Sequence, residues 1–123
     1  MIAAFAAAAA MSLTGAPTGG APKQTSPICR VVRGRMALSN GTPSVRIWVV
    51  GTRRILGVVQ QDETLDDLPN SIRKLWNGKN PDADWNSVIY GDFKVCADAP
   101  LRPGRMQMVE VAEARRLVLR PRP

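Results

Sequence analysis

The chain has 123 residues, enough for one domain with one modest core. Its 45% hydrophobic and 22% charged residues are those of an ordinary globular protein, but it contains no histidine, which removes the commonest general base and the commonest metal ligand together. The net charge of +7 is uneven: residues 1–60 carry seven Lys/Arg and no acid, 61–98 carry four bases against eight acids, and 99–123 carry six against two. A basic first half favours anionic partners.

Residues 1–27 read as an export signal followed by a Pro/Gly-rich linker. Ile2 to Met11 is an unbroken apolar run of signal-peptide length, followed by small residues, and it is too short to span a bilayer. No membrane span is expected in the mature chain, and the expected location is the periplasm or the extracellular space. In such an oxidising compartment Cys29 and Cys96 become a disulfide candidate closing a loop of about 67 residues, with two free thiols as the alternative.

Ile28 to Leu38 (ICRVVRGRMAL) reads as the first strand, and Asn40-Gly41 after it is a hairpin signal, because a type I′ turn needs positive φ at both central positions. With Asn40-Gly41 as a two-residue loop, Val32 opposes Val49, Gly34 opposes Ile47 and Met36 opposes Val45 on an oily face. On the reverse face Arg33 opposes Trp48 and Arg35 opposes Arg46. Gly51-Thr52 makes the next turn, as a loop of two or four residues, and a third strand runs to about Gln60. It brings Leu56 and Val58 to the oily face, and Ile55 and Val59 to the face of Trp48.

Gln61 to Asp67 is acidic and loop-like. Leu68 to Asn77 predicts a helix with Asp67 as N-cap, Pro69 in the first turn and Gly78 just past the end, burying Leu68, Ile72, Leu75 and Trp76. Lys79 to Asn86 reads as turn. Val88 to Cys96 reads as a fourth strand and Arg105 to Val111 as a fifth, with Leu117 to Leu119 extending or following it. Arg120 to Pro123 reads as a disordered basic tail.

The expected domain therefore spans residues 28–119 in the order strand, strand, strand, helix, strand, strand. That is the order of an OB-fold, a mainly β, five-stranded Greek-key barrel with one short helix between strands three and four. Its first and fourth strands pair antiparallel, which places Cys29 at the start of one beside Cys96 at the end of the other. Other small barrels or a sandwich also permit this order.

The pattern RGRMALSNGTPSVRIWVVGTRRILGVV, followed by IYGDFKVC and PGRMQMVEV, resembles small uncharacterised exported proteins of bacteria over roughly Ile28 to Val111. The resemblance implies export and a compact β domain, and no activity.

The candidate ligand face gathers Arg33, Arg35, Arg46, Trp48 and Ile55, with Arg53 and Arg54 at the tip of the second hairpin. An aromatic ring that stacks on a base or sugar, among arginines that hold anions, suits a nucleic acid or an acidic glycan. The facing pair Arg35 and Arg46 would repel, so it needs an acid from residues 62–67, Glu110 or Glu113, or an anionic ligand. The plainer reading is a solvated arginine face with Arg33 flat on Trp48, and an acidic protein partner is a third.

Asp82-Ala83-Asp84-Trp85-Asn86 begins like a calcium loop but lacks the glycine and the bidentate glutamate, so a polar turn is expected instead. No metal-ligand set, cofactor motif or nucleophile–base constellation is present. The functional expectation is a non-enzymatic exported binding module with an Arg/Trp face for an anionic ligand or acidic partner. The alternative is a structural or protein-interaction component of the cell envelope with no small ligand.

Overall fold

The computed structural model describes residues 27–61 and 64–123, so the expected export signal and nearly all of the expected linker lie outside the described residues. Five strands make up about half of the described residues: β1 (Ile28–Leu38), β2 (Val45–Val49), β3 (Ile55–Val58), β4 (Ser87–Ala97) and β5 (Gln107–Pro121). Two short helices, α1 (Asn70–Arg73) and α2 (Pro81–Trp85), lie between β3 and β4. Among the described residues no helix is long and apolar enough to cross a membrane.

The strands form one mixed sheet that closes into a ring in the order β1-β2-β3-β5-β4. β1 pairs antiparallel with both β2 and β4, β4 pairs antiparallel with β5, and β3 joins β5 in parallel. Strand alternation explains why this sequence closes around a core: Val32, Met36, Val45, Ile47, Leu56, Val58, Ile89, Phe93, Val95 and Val109 all point inward and are buried. Gly34 and Gly91 face each other across β1 and β4. A Cβ at Gly34 would lie 2.5 Å from Ile47 Cγ2, so the interior at this level has no room for a side chain.

The first hairpin differs from the sequence reading in register. Gly34 opposes Val49, Arg35 opposes Trp48, Met36 opposes Ile47 and Ala37 opposes Arg46, a slip of two residues from the expected pairs. Pro43 is the reason. A two-residue Asn40-Gly41 loop would put Pro43 opposite Leu38 inside β2, a strand with neighbours on both sides, where proline is disfavoured. The chain instead forms a four-residue loop, residues 40–43, closed by the Ser39 amide donating to the Ser44 carbonyl at 2.7 Å, with the Thr42-Pro43 peptide cis. A slip of two keeps each side chain on its own face, so the separation of oily from basic survives while the partners change.

The second hairpin matches its expected form, with a four-residue loop closed by the Val49 amide on the Arg54 carbonyl at 3.0 Å. Ile47 opposes Leu56 on the buried side and Trp48 opposes Ile55 on the outer side.

The helical region is shorter than expected and split. Pro69, not Asp67, precedes α1, and the Asp67 carboxylate instead accepts from the Gln61 amide at 2.7 Å. The predicted apolar face holds nonetheless: Leu68, Ile72 and Trp76 are buried beneath the ring, and Leu75 packs against them half-buried. The stretch read as plain turn contains α2, capped by the Asn80 side chain accepting from the Ala83 amide at 3.2 Å. Asp84 is buried there and accepts from the Gly78 amide at 3.0 Å.

The last expectation to fail is the disordered tail. β5 runs continuously for 15 residues to Pro121, and the Arg122 amide donates to the Asn86 carbonyl at 2.8 Å. The Arg122 guanidinium then donates to the carbonyls of Leu38 and Trp85 at 3.0 and 3.1 Å and lies 4.4 Å from the centre of the Trp85 ring. Arginine reaches carbonyls that a plain tail would leave to water, and this is what holds the chain end in place.

Candidate functional site

The outer surface of the ring is built by the side chains that alternate away from the core. Register places five of them in one lateral row across all five strands. Ile55 on β3 opposes Trp48 on β2, Trp48 opposes Arg35 on β1, Arg35 opposes Tyr90 on β4, and Tyr90 opposes Val118 on β5. Trp48, Arg35 and Tyr90 are half-buried, while Ile55 and Val118 at the two ends are exposed.

Within this row Arg35 carries the contact expected of Arg33. Its guanidinium carbon lies 4.9 Å from the centre of the Trp48 ring, close enough for a cation–π attraction. The polar edge of the indole is also occupied, since Trp48 Nε1 donates to the Thr52 carbonyl at 2.7 Å. Trp48 thus braces the second hairpin as well as walling the row.

Arg33 sits one row away, opposite Asp92, and donates to its Oδ1 at 3.2 Å. Asp92 Oδ2 accepts from Arg116 Nε at 2.6 Å. The hydrogen bond from Arg116, with Arg33 adding to it, holds the Asp92 carboxyl below its ordinary value. Arg116 reaches Asp92 from a bulged part of β5, at φ 54°, a left-handed backbone conformation uncommon for a residue other than glycine.

The predicted repulsion between Arg35 and Arg46 is absent because the two do not face each other. Arg46 opposes Ala37 and its Nε donates to the Pro43 carbonyl at 3.0 Å. The described acids are engaged elsewhere or lie apart: Asp92 with Arg33 and Arg116, Asp66 with Arg73, Glu113 with Lys94 and Arg115. Among the described residues no carboxylate lies within ion-pair distance of Arg35, Arg46, Arg53 or Arg54. Asp62 and Glu63 lie outside the described residues.

Arg53 and Arg54 occupy the tip of the second hairpin, both exposed. The Thr52 hydroxyl orders this tip, donating to the Val49 carbonyl at 2.8 Å and accepting from the Arg54 amide at 2.9 Å. Beside the tip lies the β4–β5 loop, which brings Arg102 and Arg105 to the same open groove of about 670 Å³. Of the seven residues expected at the ligand face, Arg35, Trp48 and Ile55 come together in one row. Arg53 and Arg54 adjoin it at the tip, while Arg33 and Arg46 are drawn into partners of their own.

Five contributors were not expected: Tyr90, Asp92, Arg116, Arg102 and Arg105. A signal for the first two was present. If Cys29 faces Cys96 in an antiparallel pair, then Arg33 must face Asp92 and Arg35 must face Tyr90, as they do. Cys29 and Cys96 are directly opposite and bonded, on the outer side of the ring. The disulfide is compatible with an oxidising compartment.

Among the described residues no three metal-binding side chains cluster. In comparisons with family models, curated proteins and solved structures, the chain matches none.

Proposed function

We propose that this protein is an exported, non-enzymatic binding module built on an OB-like Greek-key barrel, and that it takes an anionic polymer on the wall running from Arg35 and Trp48 to the hairpin tip. The barrel reading is supported by the strand order β1-β2-β3-β5-β4, by β1 lying antiparallel between β2 and β4, and by both helices falling between β3 and β4. Export is supported by the Cys29–Cys96 disulfide, since such bonds persist in oxidising compartments.

The observation that carries the binding reading is the uncompensated charge of Arg35, Arg53 and Arg54 on one wall, while the described acids nearby are taken by other arginines. A nucleic acid or an acidic glycan supplies the missing negative charge, and Ile55 and Tyr90 offer apolar contact beside it. Arg33 and Asp92 act as the frame of this wall rather than as ligand contacts.

Binding to a single-stranded oligonucleotide and to heparin, followed across a salt series, tests the reading. Affinity should fall steeply with salt, and the R53Q/R54Q double variant should lower the log–log slope on the oligonucleotide by about 1.4, from about 0.7 per phosphate contact. No salt-dependent binding to either polymer, or a slope unchanged in the double variant, would overturn it.

A further inference from the structure

The parallel pairing of β3 with β5 has a geometric consequence. Leu56 opposes Gln107, so the loops entering these two strands arrive at the same end of the ring, side by side. One loop supplies Arg53 and Arg54. The other supplies Arg102 and Arg105 from the turn Arg102-Pro103-Gly104-Arg105, closed by the Arg105 amide on the Arg102 carbonyl at 3.2 Å. Pro103 presets φ at the second position and Gly104 takes φ 76° at the third, which is the pattern of a type II turn. A type II turn draws its first and last residues together, so the two arginines emerge close to each other.

The groove between the loops is lined by four arginines and by no acid or lysine. No described carboxylate forms an ion pair with any of the four. Its apolar lining consists of Ile55, Leu101 and Met106, which remain 43%, 42% and 38% exposed. Val50, on the same hairpin loop, and Met108, near the start of β5, are exposed at this end too. No aromatic ring lines the groove, so it offers no platform for stacking a base or a sugar.

Guanidinium groups that fork onto phosphates, interleaved with flexible aliphatic and thioether side chains, match the boundary between phosphates and acyl chains. We propose that this end of the ring docks on an anionic phospholipid surface, with Arg53, Arg54, Arg102 and Arg105 on the phosphates and Leu101, Met106 and Ile55 dipping beneath them. The proposal rests on the reading that the arginine-rich end meets an anionic ligand, and it names a lipid surface as that ligand for the groove. In this docking the ring lies on the membrane surface.

Sedimentation of the full chain with phosphatidylglycerol/phosphatidylcholine vesicles and with pure phosphatidylcholine vesicles tests the proposal, with oligonucleotide binding measured in parallel. The protein should sediment with the anionic vesicles and not with the neutral ones. R102Q/R105Q should lower partitioning on the order of thirtyfold, and L101S/M106S about tenfold. L101S/M106S should leave oligonucleotide binding unchanged, and thermal unfolding of each variant verifies its fold. Retained oligonucleotide binding without vesicle binding would overturn the lipid docking and leave the polymer reading standing. Vesicle binding indifferent to L101S/M106S would reduce the contact to charge alone and overturn it as well. Binding to neither would remove both.

Discussion

Arg35 and Trp48 stand directly opposite each other on β1 and β2, with the guanidinium carbon 4.9 Å from the ring centre. The pair joins two strands across the outer wall and covers one face of the indole. A double-mutant cycle on Arg35→Ala and Trp48→Ala in urea unfolding should return a coupling of about 0.5–1 kcal/mol, the value of a part-exposed cation–π contact. A coupling of zero would mean that the two side chains merely lie near each other.

Asp92 links β1, β4 and β5 through Arg33 and Arg116. Its carboxyl is held below the ordinary aspartate value of 3.8, chiefly by the Arg116 hydrogen bond. A carboxyl depressed in the folded state stabilises the fold fully at pH values above its unfolded-state value. That contribution is lost as the pH falls from about 3.8 downward through the lower folded value. Asp92→Asn should therefore be less stable than the parent at pH 7, and the gap should narrow toward pH 3. Urea midpoints at the two pH values check this.

The Cys29–Cys96 bond closes a loop with a sequence separation of 67. On the chain-entropy model its removal costs about 4 kcal/mol. Cys29→Ser with Cys96→Ser should show that loss in the urea midpoint, and reduction of the parent should add the mass of two hydrogens. Since the bond joins the outer sides of β1 and β4, the core packing of Phe93 and Val32 between the same strands should persist in the variant.

Arg122 is the anchor of the C-terminal end, through the carbonyls of Leu38 and Trp85 and the Trp85 ring. Arg122→Ala should destabilise by about 1–3 kcal/mol, because two charge-assisted hydrogen bonds and one ring contact go together. Hydrogen exchange should speed up at Arg122 and its neighbours on β5 and leave the β1–β4 ladder unchanged. Uniform acceleration throughout would show that Arg122 carries no local role.

Much of this architecture is legible along the chain because alternation is a local property. β1 as Ile28–Leu38, the inward set Met36, Ile47 and Leu56, and the outward set Arg35, Trp48 and Ile55 follow from period-two patterning alone. The Cys29–Cys96 pair follows from two cysteines and an oxidising compartment, and it already implies the β1–β4 register that seats Arg33 on Asp92. Register in the first hairpin was not legible in the same way. Alternation is blind to a slip of two, and only the poor fit of Pro43 to a strand with neighbours on both sides separates the two pairings.

What the sequence by itself determined, then, is which side chains face the core, which face out, and that the outward set is basic. Tertiary structure decided who meets whom. Arg35 rather than Arg33 lies on Trp48 because a four-residue loop sets that hairpin. Arg102 and Arg105 join Arg53 and Arg54, across about fifty residues of chain, because β3 and β5 run parallel and bring their entering loops to one end. Pairing between distant strands follows from ring closure and the shared core, and no stretch of local pattern records it.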